Sequence, residues 1–313
     1  MAELKYNDDQ IKKASWPLPE NDQITSKIPT KSMDFKGNRY YYNKAEEDPK
    51  NRDYLMSVTT WLNVLSKGIG FNMWLGNATS FKDAMSYANE RALIGNQVHA
   101  MCMWLIWGRS VDTSIGWFDA DDNKIKPIPD ESKLRLSAFI DFVDQYKPIP
   151  IATEISLYTN EKDKDQIMFP FAGTADQIMM IDGETWLIDI KTGAEYKKEQ
   201  QLQLTAYKIL YDHLYGGITG TIDQVACLYL TTRGKFRLKK YKFVPEAWND
   251  LLRIGEYYFS DMRGGMPKVM EKEKLPIIYT LKEEEEDGIP KEGNIEDPKG
   301  RDSKTKTRKS KTI

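Results

Sequence analysis

Two β-like segments joined by one turn signal constrain the fold of this chain more than any other feature. The stretch FAGTADQIMMIDGETWLIDIKTG (171–193) has an apolar run on each side of Asp182 and Gly183, a dipeptide that favours a two-residue hairpin turn. Asp176 and Asp189 each lie six residues from that turn. The pattern therefore predicts a β-hairpin that places two carboxylates level with each other.

Lys191 follows Asp189 by two residues and so shares its face of the strand. Two converging carboxylates repel each other unless a cation lies between them, and oxygen ligands of this type favour Mg²⁺ or Mn²⁺. A lysine beside them is not an ordinary metal ligand. It can instead orient or help to deprotonate a water, or stabilise negative charge on a phosphate. Asp176, Asp189 and Lys191 are thus typical of metal-assisted phosphodiester hydrolysis.

Two other residues are candidates for the same site. Glu154 lies on the predicted strand 149–159 and adds a third acid. His99 lies in the long predicted helix 81–108, where a lone histidine on an apolar stripe is usually a core residue. Beside acids it becomes a candidate metal ligand. The predicted stripe consists of Ala88, Ala92, Gly95, His99 and Met103. The two predicted faces of the strand are Ile151, Thr153, Ile155 and Leu157, and Ala152, Glu154, Ser156 and Tyr158.

The helix predicted after the hairpin carries two polar candidates. Gln203 and Tyr207 are four residues apart in helix 196–216, so they share one face. An amide and a phenol near a metal site can hold a phosphate or stack on a base. The alternative is that they are ordinary polar residues of an amphipathic helix.

The order of the predicted elements defines the fold class. Helices come first, followed by three strands, a helix, two strands and a closing helix. We expect an α/β fold with a central mixed β-sheet flanked by α-helices. The remaining predicted elements are helices 57–68, 132–148 (with Leu134, Phe139, Phe142 and Val143 at near-helical spacing) and 246–262, and two strands within 223–243.

The chain has three expected divisions. Residues 1–80 are a polar segment with a helical wrap, and the aromatic residues of RYYYN (39–43) are expected to lie loosely over the core. Residues 81–270 form the core domain. Residues 283–313 are charged and poor in core-forming side chains, so a disordered tail is expected there.

Composition limits the class of protein. A hydrophobic fraction of 40% in 313 residues supports a folded core, and a net charge of −2 means that nucleic-acid binding must use a local basic patch. TTRGKFRLKKYK (231–242) is one candidate patch; the other interpretation is an edge strand charged against aggregation. Two cysteines cannot form a four-cysteine zinc or iron–sulfur site within one chain. The sequence shows no membrane span or apolar signal core, so we expect a cytoplasmic location.

Taken in order, the motifs resemble those of the PD-(D/E)xK nuclease superfamily, and within it the RecB-type exonuclease branch. The matching pieces are Gly95-x-x-x-His99, Glu154, GTAD ending at Asp176, DIK at 189–191 and QLTAY at 203–207. SVTTWL (57–62) is also similar to upstream segments of phage and mitochondrial exonucleases of this branch. The resemblance covers roughly residues 85–230.

The resemblance implies a restriction-endonuclease-like core and a set of site residues. The implied ligands of one or two Mg²⁺ or Mn²⁺ ions are His99, Asp176, Asp189 and the carbonyl of Ile190. The implied catalytic residues are Asp176, Asp189, Lys191, which would position the attacking water, and Glu154, which would tune or join the metal site. The implied contacts to DNA are Gln203 and Tyr207. With two cysteines, the chain resembles those members that lack an iron–sulfur cluster.

The implied activity is hydrolysis of DNA by an activated water, as a metal-dependent exonuclease in recombination, repair or replication. The DNA is expected to be a single strand or a duplex end, and the resemblance does not decide between them. A phage origin, a bacterial or phage-infected host cell and a recombination or replication protein as partner are further expectations. Two alternatives stay open: an endonuclease or branched-DNA nuclease that uses the same site, and a nucleic-acid-binding protein that keeps the fold without the chemistry. The products from linear and circular DNA distinguish them.

Overall fold

The computed structural model describes residues 30–35, 37–48, 51–66, 69–119, 123–159, 169–195 and 197–259. The chain divides into Met1–Lys274 and Leu275–Ile313 by its internal contacts, and all described residues belong to the first unit. The predicted disorder of 283–313 lies outside the described residues. Among the helices that the structure describes, none is long and apolar enough to cross a membrane.

The described residues form ten strands and six α-helices. In chain order these are β1 (Thr30–Phe35), β2 (Asn38–Asn43), β3 (Leu55–Met56), α1 (Val58–Trp61), α2 (Ile69–Asn77), α3 (Phe81–Ile106), β4 (Trp117–Asp119), β5 (Lys124–Lys126), α4 (Asp130–Tyr146), β6 (Ile149–Tyr158), β7 (Ala172–Ile181), β8 (Glu184–Lys191), α5 (Lys197–Thr219), β9 (Gln224–Leu230), β10 (Phe236–Tyr241) and α6 (Pro245–Tyr258).

A five-stranded sheet lies at the centre, in the order β10-β9-β8-β7-β6. Only β8 and β9 run parallel among its neighbouring pairs; the other three pairs are antiparallel. One face packs against α1, α5 and α6, and the other packs against α3 and α4. The predicted mixed sheet flanked by helices is therefore confirmed.

The β7–β8 hairpin turns where the sequence predicts. Asp182 and Gly183 have φ values of 51° and 81°, the left-handed conformation that a two-residue turn of this type requires at both positions. Leu187 and Ile188 then point to opposite faces, and both are fully buried. A strand covered by helices on both faces explains the unbroken apolar run in the sequence.

The faces of β6 differ from the predicted alternation. The chain shifts register between Pro150 and Ala152, so Ala152 joins Ile151 in the cluster beside α5. Thr153 instead contacts the C-terminal end of α3, where Nε1 of Trp107, the residue after the helix, donates to its hydroxyl at 3.1 Å. A bulge of this kind re-aims side chains, and a period-two pattern does not reveal it.

The buried face of α3 is also rotated from the predicted stripe. Ala92 is exposed, and the buried residues include Ile94, Val98, Met101, Cys102 and Met103. His99 lies at the margin of this face with 28% of its side chain exposed. It is thus accessible to a ligand, which a central core position would not allow.

Several elements near the N-terminus were not evident from the sequence pattern. β1, β2 and β3 form a small antiparallel sheet, in which Tyr40, Tyr41 and Tyr42 are buried rather than loosely placed. The Tyr41 hydroxyl lies 3.0 Å from Thr174 Oγ1 on β7. This sheet therefore packs directly against the strand that carries Asp176.

Candidate metal centre

Asp176 and Asp189 lie where β7 and β8 stop pairing. The ladder of the hairpin ends at the Gln177–Ile188 pair, and these two acids are the next residues on the two strands. The N–H of Ile190 donates to Asp176 Oδ2 at 2.7 Å, so a side chain bridges the strands where the ladder ends. The register predicted from the sequence was correct. Because the two acids lie just beyond the last paired residues, their side chains can contact different partners.

Three side chains from three elements converge beside this point. His99 Nδ1 lies 3.5 Å from Asp176 Oδ2 and 3.9 Å from Glu154 Oε1. One ligand atom from each residue lies within 4.8 Å of the others, so the three can share one metal ion. Glu154 has a φ of 46°, a left-handed conformation that is uncommon outside glycine. Such strain at a site-forming residue is typical of functional positions.

The peptide of Ile190 fixes the orientation of the histidine. His99 Nε2 lies 3.0 Å from the Ile190 carbonyl oxygen, which can only accept, so Nε2 donates. In the neutral ring, Nδ1 then presents its lone pair to the carboxylates of Asp176 and Glu154. Metal-ligating histidines are commonly held in this way by a carbonyl on the other nitrogen. The implied role of the Ile190 carbonyl as a ligand itself stays a prediction.

The two clustered carboxyl groups have raised pKa values. Burial, and next the charge of Asp176, raises the pKa of Glu154 to about 7. Burial raises the pKa of Asp176 to about 6, with His99 opposing and Asp189 adding to the rise. A divalent cation would favour the charged form of both groups. One imidazole nitrogen and two carboxylates therefore fit a divalent metal, and the carboxylate oxygens favour Mg²⁺ or Mn²⁺.

Asp189 lies outside this three-residue cluster and pairs with Lys191. Asp189 Oδ2 is 2.6 Å from Lys191 Nζ, and its side chain is only 3% exposed. Burial lowers the pKa of Lys191, but the charges of Asp189 and Asp176 outweigh burial and raise it above its ordinary value. The amine is therefore a stable cation beside the cluster. That Asp189 also ligates a metal stays a prediction.

Helix α5 holds Lys191 from the other side. Lys191 Nζ donates to Gln203 Oε1 at 3.1 Å, and Gln203 Nε2 donates to the Tyr207 hydroxyl at 3.2 Å. Gln203 and Tyr207 thus share one face, as the four-residue spacing predicts. Tyr207 is only 4% exposed. A residue this buried is better suited to holding the Gln203 side chain in place than to contacting DNA directly.

Gly173 provides the space for the Tyr207 ring. A Cβ added at Gly173 would lie 2.5 Å from Tyr207 Cε1, closer than packing allows. We expect Gly173→Ala to lower the free energy of unfolding by about 1–3 kcal/mol, because both residues are buried. Gly217→Ala on α5 is the control, since a Cβ there meets no atom within 4 Å. Equal stability of the two variants in chemical denaturation would contradict this role of Gly173.

Arg135 of α4 is a site neighbour that sequence reasoning missed. It is 5% exposed and donates through Nε to the Leu230 carbonyl at 3.2 Å and through Nη2 to the Thr192 carbonyl at 3.0 Å. It thereby ties the residue after Lys191 to β9. The apolar pattern favours Leu134 for the buried face, yet Leu134 is 44% exposed. No local signal marks an arginine whose partners are distant carbonyls.

His99→Ala tests the histidine as a ligand. Removing one of three clustered ligand atoms should weaken Mn²⁺ binding at least about tenfold, as measured by calorimetry. His213→Ala, which alters the other histidine of the chain, should leave Mn²⁺ binding unchanged. If His99→Ala lowers only the melting temperature and keeps wild-type Mn²⁺ affinity, His99 is a core residue.

Comparison with known proteins gives a distant likeness. No protein-family model matches the sequence, and no curated protein does. Among solved structures, the chain is similar to an alkaline exonuclease from Laribacter hongkongensis, at 11% identity and a TM-score of 0.34 over 69% of this chain and 92% of that one. It is also similar to SSO0001, at 15% identity and a TM-score of 0.27 over 56% of this chain and 72% of that one. At these values, function has to be argued from the site.

Proposed function

We propose that this chain is a metal-dependent nuclease that hydrolyses phosphodiester bonds in DNA and acts as an exonuclease. One observation carries the proposal: His99, Glu154 and Asp176 converge within 4.8 Å, beside the ion pair of Lys191 with Asp189. A neutral nitrogen and two carboxylates suit a divalent metal. A fixed ammonium next to them suits an anionic substrate that becomes more negative during reaction. The motif resemblance to RecB-type exonucleases supports DNA as that substrate.

His99, Glu154 and Asp176 are the residues that would hold the metal. When bound, it supplies positive charge that lowers the pKa of a water and offsets charge on the phosphate. The water oxygen forms a bond to phosphorus as the bond to the departing nucleotide oxygen breaks. No side chain of the protein has to form a covalent intermediate in this reaction.

Lys191 has the geometry to orient the attacking water. Its ammonium group carries three N–H donors, of which Asp189 and Gln203 accept two. The third can donate to the water or to a phosphate oxygen. Because the neighbouring carboxylates raise its pKa, Lys191 stays charged. Of the roles expected for it, positioning and charge stabilisation are therefore favoured over accepting a proton.

The clustered acids argue against a protein that only binds nucleic acid. Keeping Asp176 and Glu154 together, with pKa values near 6 and 7, disfavours the ionised folded state at neutral pH. A binding protein would have no physical need for such a cluster. A hydrolase needs it, because the same repulsion is relieved when a metal binds.

The test is a cleavage assay with end-labelled linear single-stranded DNA, linear duplex DNA, the corresponding RNA and a closed DNA circle. Each is incubated with Mg²⁺, Mn²⁺ or EDTA. The proposal predicts metal-dependent loss of linear DNA while the circle survives. Cutting of the circle would instead establish an endonuclease, and preferential loss of RNA would overturn DNA as substrate. A salt-sensitive gel shift without cleavage would support the binding protein.

A further inference from the structure

A cavity of about 590 Å³ lies at the end of β8, directly after the site residues. This volume is within the range of roughly 300–1,000 Å³ that is usual for small-molecule pockets. Its lining includes Phe71, Trp74, Tyr87, Arg91, Arg135 and Thr192. We call this cavity the aromatic pocket. Its wall combines π faces with cationic groups, a combination that recurs where proteins bind single-stranded nucleic acid.

The aromatic residues of the pocket are not ordinary core residues. Phe71 is 38% and Tyr87 is 51% exposed, whereas Trp61 and Trp248 in the core are 3% and 0% exposed. The Phe71 and Trp74 rings lie 5.5 Å apart and tilt by 41°, and the Trp74 and Tyr87 rings lie 6.2 Å apart and tilt by 46°. The rings therefore form a continuous wall without stacking flat on one another, and exposed ring surface remains.

The charges of the pocket favour an electron-rich or anionic ligand. Arg91 Nη1 lies 2.6 Å from Glu131, and Arg135 pairs with the same carboxylate. Arg91 Nη2 also lies 3.8 Å from Glu90 Oε1, but the charged side chains that line the pocket itself are the two arginines. Within the described residues, the buried Arg91 Nε–H has no hydrogen-bond partner. An acceptor atom of a bound ligand would satisfy this donor.

The aromatic pocket and the metal centre are joined by two elements. Thr192, which lines the pocket, is the residue after Lys191. Helix α3 carries both Arg91 and His99, and a rise of 1.5 Å per residue places them about 12 Å apart. Between them, Gly95 lies beside Thr192, since a Cβ added at Gly95 would be in ordinary contact with Thr192 Oγ1, at 3.5 Å. A strand whose phosphate reached the metal centre would therefore pass the pocket within a few nucleotides.

We propose that the aromatic pocket receives one unpaired nucleobase of the strand that is being cut. The base stacks on the wall formed by Phe71, Trp74 and Tyr87, and the N–H groups of Arg91 face its acceptor atoms or the adjoining phosphate. The inference rests on the proposed function and specifies its substrate. A base inside a duplex is paired and stacked, so the pocket selects a single-stranded or frayed segment next to the scissile phosphate.

The experiment measures binding of the full-length protein to dye-labelled single-stranded oligonucleotides in EDTA, where cleavage is prevented. One oligonucleotide is intact, and each of the others lacks the base at one position. For wild type, one abasic position should weaken binding by roughly 5- to 150-fold, the effect of losing one stacked base. Trp74→Ala and Tyr87→Ala should weaken binding of intact DNA similarly and abolish sensitivity to that position.

The control is Tyr257→Ala, because Tyr257 is a helical tyrosine that is 86% exposed and does not line the pocket. It should bind intact and abasic DNA as wild type does. The inference is overturned if wild type tolerates every abasic position, or if both pocket variants keep wild-type sensitivity. Absence of cleavage in the separate metal assay would refute the proposed function, while the binding data would still decide the occupant of the pocket.

Discussion

Lys191→Ala should slow metal-dependent DNA cleavage by about 10²- to 10⁴-fold. The variant loses the ammonium that lies between Asp189 and Gln203 and that the proposed mechanism places next to the attacking water. The residues of the metal cluster are unchanged, so Mn²⁺ affinity should stay within a few-fold of wild type. Single-turnover cleavage of end-labelled linear DNA measures the first effect, and calorimetry measures the second.

The effect of the substitution on Asp189, the ion-pair partner of Lys191, needs a control in the same experiment. Without the lysine, Asp189 is a buried and unpaired carboxylate, which can cost several kcal/mol of stability. A double variant, Asp189→Asn with Lys191→Met, removes both charges and should restore stability without restoring cleavage. Lys82→Ala, at an exposed position of α3, should cleave as wild type does. Near-wild-type turnover by a folded Lys191→Ala protein would refute the assigned role.

Asp176→Asn should nearly abolish cleavage, by at least about 100-fold, and yet stabilise the metal-free protein at pH 7.5. The amide can still accept the hydrogen bond from the Ile190 N–H, but it carries no charge next to Glu154. A pKa of about 6 for the folded carboxyl, against about 3.9 unfolded, corresponds to roughly 2–3 kcal/mol at that pH. Thermal melts in EDTA should therefore show a rise of several degrees.

The same carboxyl groups predict how stability depends on pH without metal. Between about pH 4 and 7, the folded protein holds protons on Asp176 and Glu154 that the unfolded chain has released. The contribution of these two groups to the free energy of unfolding should therefore fall as the pH rises through this window. Saturating Mn²⁺ should make the free energy of unfolding depend less on pH, because Mn²⁺ binds the folded form in which these carboxylates are ionised.

Asp141→Asn is the matched control for this prediction, since Asp141 is an exposed acid on α4. Its melting temperature in EDTA should equal that of wild type. An Asp176→Asn protein that melts lower than wild type at pH 7.5 in EDTA, or that loses as much stability as wild type between pH 5 and pH 7, would contradict the raised pKa of Asp176.

The central hairpin shows what local sequence can predict. Asp182 and Gly183 fix the turn, and the turn fixes the register, so the spacing of Asp176 and Asp189 from the turn is enough to place them level with each other. The mixed sheet follows from the order of the elements. These features depend on residues close together in sequence, where turn chemistry and side-chain period act directly.

The partners of the site residues could not be predicted in the same way. The sequence places Asp189 and Lys191 on one face, but it does not reveal that Asp189 pairs with the lysine while Asp176 turns toward His99. Which partner each aspartate takes depends on where the pairing of β7 with β8 ends. The position of Glu154 depends on its left-handed backbone conformation, which no period-two pattern contains.

Long-range contacts explain the remaining differences. Arg135 is buried because two carbonyls from β9 and from the end of β8 need a donor, and neither is near it in sequence. Trp74 is only partly buried and lines the aromatic pocket, although tryptophans are more often core residues. The roles of Arg135 and Trp74 depend on how α2, α3 and α4 pack together, which the sequence of a single helix does not reveal.

The central claim, that His99, Glu154 and Asp176 share a divalent metal, is tested most directly by locating the metal. A crystal of the full-length protein soaked in Mn²⁺ is measured at a wavelength where manganese scatters anomalously. We expect an anomalous peak between His99 Nδ1 and the two carboxylates. The absence of a peak at this position, at Mn²⁺ concentrations that support cleavage in solution, would contradict a shared metal site, whether or not a peak lies elsewhere.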